Sequence, residues 1–191
     1  MAKRVFFSFH YQDVIDFRAN VVRKHNVTKD GHGGYFDASI WEKEKKKGDE
    51  ALKKLIHGGL ANTSTTCVLI GSETYKRPWV RYEIIRSLFK GNGLFAIHIN
   101  GIEGKDEKTK SNGPNPFDYL ALEYSSDGKT LTPYELINGV WNKYAKHDTW
   151  TLKVVAPESL HGKRKKLSEC SYKTYDWIKD NGFEKFEDWV G

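Results

Sequence analysis

Two hydrophobic periodicities alternate through the first hundred residues, and this alternation constrains the fold more than any other feature. Residues 4–9 and 65–70 are short and almost continuously apolar, the pattern of strands covered on both faces in a parallel sheet. Elsewhere apolar side chains recur at helical spacing. Val14, Ile15, Arg18, Val21 and Val22 mark a first helix, and Leu52, Leu55, Ile56 and Leu60 a second that Asp49 can cap. Val80, Ile84, Ile85, Leu88 and Phe89 mark a third, opened by Pro78 and stopped by Gly91-Asn92-Gly93. After the turn-rich residues 28–34, residues 35–37 read as another short strand, and residues 94–99 as a fourth. Four strands joined by three helices predict an α/β fold, an open doubly wound parallel sheet with helices on both faces and right-handed crossovers. Ligands of such sheets lie beyond the carboxyl ends of the strands. The functional search narrows to residues 8–12, 37–47, 71–83 and 100 onward.

The second half is less regular. Residues 101–116 are polar and rich in charge, Gly and Pro, and read as a long mobile loop. Residues 120–124 and 130–136 flank Ser126-Asp127-Gly128, a hairpin signal. Residues 172–180 and 183–190 read as two short helices separated by Asn181-Gly182. With 191 residues the chain is long enough for one domain. We therefore expect a single domain over residues 1–191, with a core at about 4–99 and an elaboration at about 100–191.

Several function classes lack support. The seven histidines show no metal-ligand spacing, and Cys67 and Cys170 are not paired with them, so no metal is expected. Two cysteines are too few for a disulfide framework, and Cys67 reads as a buried thiol, which suits a reducing, cytoplasmic setting. The first residues show no signal-peptide core, and no stretch approaches the ~20 apolar residues of a membrane helix. The formal charge of +6 gathers at residues 43–47 and 163–166. Neither cluster carries the interleaved aromatics of a single-strand platform, so both read as solvated surface and no nucleic-acid partner is expected. No glycine-rich nucleotide motif occurs, and Ser72 lacks the second glycine of a nucleophile elbow. The backbone donors of the turn at residues 9–13 could still receive a phosphate at the first helix's N-terminus.

The sharpest constellation is Trp79-Val80-Arg81-Tyr82-Glu83. Residues four apart share a helical face, so an indole and a carboxylate are presented together, beside the apolar stripe that anchors the helix. Taken alone the spacing is common, and a surface glutamate beside a tryptophan is its bland reading. The order of boxes adds to it. Val5-Phe6-Phe7-Ser8-Phe9, then Tyr35-Phe36-Asp37 with the loop to Lys47, then residues 66–72 and 79–88, resemble the successive strands, loop and helix of the TIR family. The chain is similar to its NAD+-consuming members in particular, over about residues 4–99. The hairpin and tail resemble those of TIR subunits from bacterial antiphage defence.

The resemblance implies a TIR/flavodoxin-like sheet and cleavage of the nicotinamide–ribose bond of NAD+, which is substrate and not cofactor. It implies Glu83 as the catalytic carboxylate, with Phe6, Ser8, Asp37 and Trp79 binding substrate. Elementary chemistry agrees that one carboxylate can suffice. O-glycosidases need a second group to protonate an alkoxide, whereas nicotinamide leaves a cationic ring as a neutral molecule. The antiphage resemblance further implies a cyclic ADP-ribose isomer as product, an NAD+-depleting effector activated by that diffusible product, and a phage-derived trigger. Cyclisation requires a shielded pocket, for which residues 101–116 and the hairpin are candidate covers. Self-association through the loop ending at Lys47 is a further partnership of the family, although the lysine run there departs from the shorter or more apolar loops of many members. The alternative is a non-catalytic TIR adaptor acting through protein–protein contacts. A receiver module wants an acidic cluster at the end of its first strand, and Phe9-His10-Tyr11-Gln12 supplies none.

Overall fold

The computed structural model describes residues 4–25 and 43–191. The strand expected at residues 35–37 and the adjoining part of the loop lie outside the described residues, as does Asp37. The chain divides into two compact units, one formed by residues 1–113 with 174–191 and the other by residues 114–173.

In the first unit the apolar runs become β1 (Val5–Phe9), β2 (Thr65–Ile70) and β3 (Gly93–His98). β1 pairs with β2 and β2 with β3, both parallel, with Ser8 opposite Val68 and Val68 opposite Ala96. The fourth strand of the sheet is β9 (Lys173–Asp176), next to β3. Its position corrects the helix expected over residues 172–180. Tyr175 stacks on Trp189 at 4.2 Å and meets Phe95 edge-on at 6.1 Å, contacts that an extended segment beside β3 can make. Asp176 then accepts from the amides of Ile178 and Lys179, closing a turn where a helix would have to continue. The last helix expected from the sequence is present at Gly182–Val190.

Helices cover both faces. Short helices α1 (Tyr11–Ile15) and α2 (Arg18–Arg23) follow β1. The single first helix expected from sequence is interrupted at Phe17, whose φ of 66° is left-handed, and Ile15 and Val21 are exposed. The break lets Arg18 turn inward and reach the carbonyls of Ile102 and Lys108 at 2.9 and 2.6 Å. α3 (Asp49–Ala61) buries Leu52, Ile56 and Leu60, but its cap is Gly48, with Asp49 in the first turn. α4 (Pro78–Lys90) starts at Pro78 as expected and ends on left-handed Gly91. There the amides of Gly91 and Asn92 return to the carbonyls of Leu88 and Ser87, the paired bonds of a Schellman cap. The Gly182–Val190 helix is labelled α5.

Strand alternation sends Val5, Phe7, Cys67, Leu69, Phe95 and Ile97 into one core with Ala19, Val22, Trp177 and Phe186, on the side of α2 and α5. The other face receives α4. Residues 101–113 are irregular, as expected, yet they are tied down. Asn100 donates to the Ser111 carbonyl at 2.6 Å, Lys110 pairs with Asp16, and Arg18 holds the carbonyls named above.

The second unit is an antiparallel sheet in the order β6 (Val140–Lys143), β5 (Thr130–Ile137), β4 (Leu120–Tyr124), β8 (Arg164–Lys166), with β7 (Trp150–Thr151) also pairing with β5. The expected hairpin is its β4–β5 pair, whose turn is tied by Ser125 Oγ to Asp127 and to the Thr130 amide. A second hairpin turns at Asn138-Gly139, both with positive φ, the residue pair a type I′ turn requires.

Candidate active site

α4 places Trp79 and Glu83 on adjoining turns of one face, as the spacing predicts. Apolar neighbours fix the helix rotation, because Val80, Ile84, Ile85 and Leu88 are buried. That rotation directs Glu83 toward β1, where Phe6 and Ser8 alternate onto the face opposite the Val5–Phe7 core. The Ser8 hydroxyl donates to Glu83 Oε2 at 2.5 Å. Ser8 is 0% exposed and Glu83 6%, so the bond is made almost out of contact with water.

No cation approaches this carboxyl group among the described residues. Burial drives its pKa up to about 8, and the Ser8 hydrogen bond pulls in the opposite direction without overcoming it. Glu83 therefore does not behave as a surface glutamate, the bland reading of the Trp-x-x-x-Glu spacing. A carboxyl group that titrates near neutrality can be ionised for chemistry at little cost once a positive charge is brought beside it.

The surroundings include polar groups that the sequence reading did not assign. Ser87, one turn after Glu83, donates to the Glu83 carbonyl at 2.7 Å and accepts from Thr66 of β2 at 2.8 Å. Asn92 extends the line to Thr66 and Thr63. Such i−4 back-bonding by serine is a known helix habit, and the hydroxyls of Thr66 and Ser87 both lie on the buried face of their elements. Trp79 is half-buried and meets Tyr82 edge-on at 5.5 Å, while Tyr82 shares a 2.8 Å hydrogen bond with His57 of α3. The indole is thus braced against a second ring.

Of the five residues predicted for the site, Ser8 and Glu83 are in direct contact, Phe6 lies buried two residues before Ser8 on the same strand face, and Trp79 lies one turn before Glu83. Asp37 lies outside the described residues. In the turn at residues 9–13, suggested as a phosphate seat, one backbone donor is already engaged. The Asp13 amide bonds to the His10 carbonyl, and the Asp13 carboxyl group is buried in the same turn. Among the described residues no group of three or more His, Cys, Asp or Glu side chains is placed to hold a metal ion, and no helix is long and apolar enough to cross a membrane.

A parallel sheet covered on both faces, with an indole and a buried carboxyl group on the helix after its second described strand, defines an α/β protein of TIR-like architecture. Residues 6–103 match the family described as Thoeris protein ThsB, TIR-like domain. The whole chain is 58% identical, over 192 aligned residues and 100% of both proteins, to a Bacillus cereus (strain MSX-D12) protein provisionally named cyclic ADP-D-ribose synthase ThsB1. The chain belongs to the ThsB family of Thoeris TIR-like proteins.

Proposed function

We propose that this protein cleaves the nicotinamide–ribose bond of NAD+ and produces a cyclic ADP-ribose isomer that serves as an antiphage signal. The observation that carries the reading is the buried Glu83 carboxyl group, held by Ser8 and facing no cation among the described residues. The name of the Bacillus cereus relative supports the reaction class.

In the proposed step the C–N bond breaks and its electron pair leaves with nicotinamide, which becomes neutral. The ribosyl carbon gains oxocarbenium character, and the ionised Glu83 stabilises that charge while accepting from a ribose hydroxyl. The cationic nicotinamide ring of the substrate brings a positive charge beside the carboxyl group, so substrate binding favours ionisation of Glu83. A nucleophile from the adenosine half then closes the ring in preference to water, an outcome that depends on positioning and water exclusion. Phe6, Ser8, Asp37 and Trp79 bind the dinucleotide, with the Trp79 ring available for stacking. The product diffuses to a separate NAD+-depleting effector, and a phage-derived trigger sets the enzyme in motion.

Replacing Glu83 with Gln keeps the shape of the side chain and removes its charge. The expected result is a loss of at least about 100-fold in product formation with the fold intact. Mass spectrometry of nucleotides from phage-infected cells carrying either form measures this, and native levels of the cyclic product in the Glu83→Gln cells would refute the assignment.

A further inference from the structure

A second carboxyl group is buried in this unit without an ion pair among the described residues. Asp13 of α1 is 6% exposed. Its carboxylate lies directly against Gly71, at the end of β2, in the space where any side chain at that position would project. The Thr74 hydroxyl stands 3.4 Å from Asp13 Oδ2 and equally 3.4 Å from the Leu69 carbonyl, while it accepts from the Gly71 amide at 2.9 Å. One hydroxyl proton thus has two acceptors, and the Asp13 carboxyl group decides between them. When ionised, Asp13 draws the proton to itself. When protonated, it donates to Thr74, whose own proton turns to Leu69.

These contacts all fall on the connector between β2 and α4. Thr74 opens the short 3-10 turn Thr74–Lys76, the Arg77 amide returns to the Thr74 carbonyl, and α4 begins at Pro78. Arg81 of α4 reaches back to the Tyr75 carbonyl at 3.1 Å. The connector therefore sets the start of the helix that carries Trp79 and Glu83. We propose that Asp13 is a positioning residue for this helix, acting through Gly71 and Thr74 on where Trp79 and Glu83 stand. The proposal rests on the Glu83 reading for its effect on turnover, though not for its effect on the connector.

The placement is energetically unfavourable for a structural contact alone, because an unpaired buried carboxylate loses its hydration. Burial raises the Asp13 pKa to about 6, opposed by the Thr74 hydrogen bond. The charged groups facing it are Asp16, just after α1, which raises it further, and Lys110 of the loop and Arg18 of α2, which lower it. The Asp13–Thr74 arrangement accordingly changes over between about pH 5 and 7.

The test uses the whole chain and four variants, read by amide hydrogen exchange and by NAD+ turnover. Asp13→Ala, and separately Gly71→Ala, which leaves Asp13 in place but fills its seat, should speed exchange of residues 71–80 about tenfold, leaving β3 unchanged. Both should lower kcat about tenfold or more, with a smaller change in KM. Asp13→Asn preserves the shape of the neutral form, so it should keep kcat within about threefold while losing the part of the pH dependence between 5 and 7. Unaltered connector exchange in both alanine variants, or an Asp13→Asn pH profile that overlays the native one, would overturn the proposal. Glu83→Gln separates the two ideas. If that variant is inactive while Asp13→Ala turns over normally, only the role of Asp13 fails. If it is fully active, the Glu83 reading fails, and the exchange data still decide whether Asp13 holds the connector.

Discussion

The two faces of the first sheet are built from the same strands and yet differ in kind. On the side of α2 and α5, Val5, Phe7, Cys67, Leu69, Phe95 and Ile97 meet Ala19, Val22 and Phe186 mainly with hydrocarbon and ring surface, Cys67 adding a buried thiol. On the side of α4, the same strands present Ser8 and Thr66, which bond to Glu83 and to Ser87 within the buried layer. The first face is what a doubly wound sheet needs for stability, and nothing in its packing requires a hydroxyl. The second face carries groups that dehydration penalises, and they converge on one helix. Where a buried polar line replaces available hydrocarbon, chemistry is the simplest reason for it.

That contrast can be broken by experiment, beginning with its apolar side. Phe186 is fully buried against Phe7 and Trp177. Phe186→Ala should cost about 3–5 kcal/mol of stability in chemical denaturation, while the protein that remains folded turns over NAD+ at the native rate. A drop in turnover per folded molecule would mean that the two faces are not separable.

A smaller effect distinguishes the polar side. Because the folded-state pKa of Glu83 is raised to about 8, the native state holds this proton more tightly than the unfolded chain does. The stability linked to it is complete below the unfolded value and is lost as pH rises through about 8. The melting temperature of the native protein should fall by several degrees between pH 5 and 8.5, and Glu83→Gln should flatten most of that slope. An equal slope in both proteins would show that the carboxyl group is not held neutral by its surroundings. Turnover should move the opposite way, rising with pH as Glu83 ionises, provided the ionised form is the active one.

Smallest is the effect of removing the Ser8 hydroxyl. Its hydrogen bond opposes the upward shift at Glu83, so Ser8→Ala should raise that pKa and shrink the ionised fraction at pH 7. The expected loss is about tenfold at pH 7, recovering as the pH approaches 9. A loss of the same size at every pH would instead make Ser8 a contact to substrate alone.

Much of this arrangement can be read from residue order. The three parallel strands follow from their apolar runs, α4 from Pro78 and Gly91, and the shared face of Trp79 and Glu83 from a spacing of four. Ser8 could be placed on the face opposite Val5 and Phe7 by alternation, although its bond to Glu83 depends on how α4 is rotated. The features that escaped are decided by contacts distant in sequence. No glycine or proline at Asp16-Phe17-Arg18 announces the helix break, which is set by carbonyls of residues 102 and 108. Lys173–Asp176 carries no pattern that separates strand from helix, and the rings of Phe95 and Trp189 favour the extended form. The Asn138-Gly139 turn, by contrast, had a clear local signal. Asp13 had none, because its partners at Gly71 and Thr74 lie about sixty positions away and neither residue type suggests a carboxylate partner.

The grip of Arg18 on the segment after β3 bears on how such a surface can change over generations. The guanidinium, 1% exposed, reads main-chain oxygens of Ile102 and Lys108 and no side chain of that segment. Lys105 can therefore drift in identity while the path of the chain stays the same. Its neighbours are more constrained: Asp106 accepts from the Lys108 amide, Glu107 holds a left-handed φ of 57°, and even a methyl group at Gly104 would stand 2.6 Å from the guanidinium nitrogens. A segment held by its main-chain oxygens can change its outward chemistry at such a position without refolding what lies beneath.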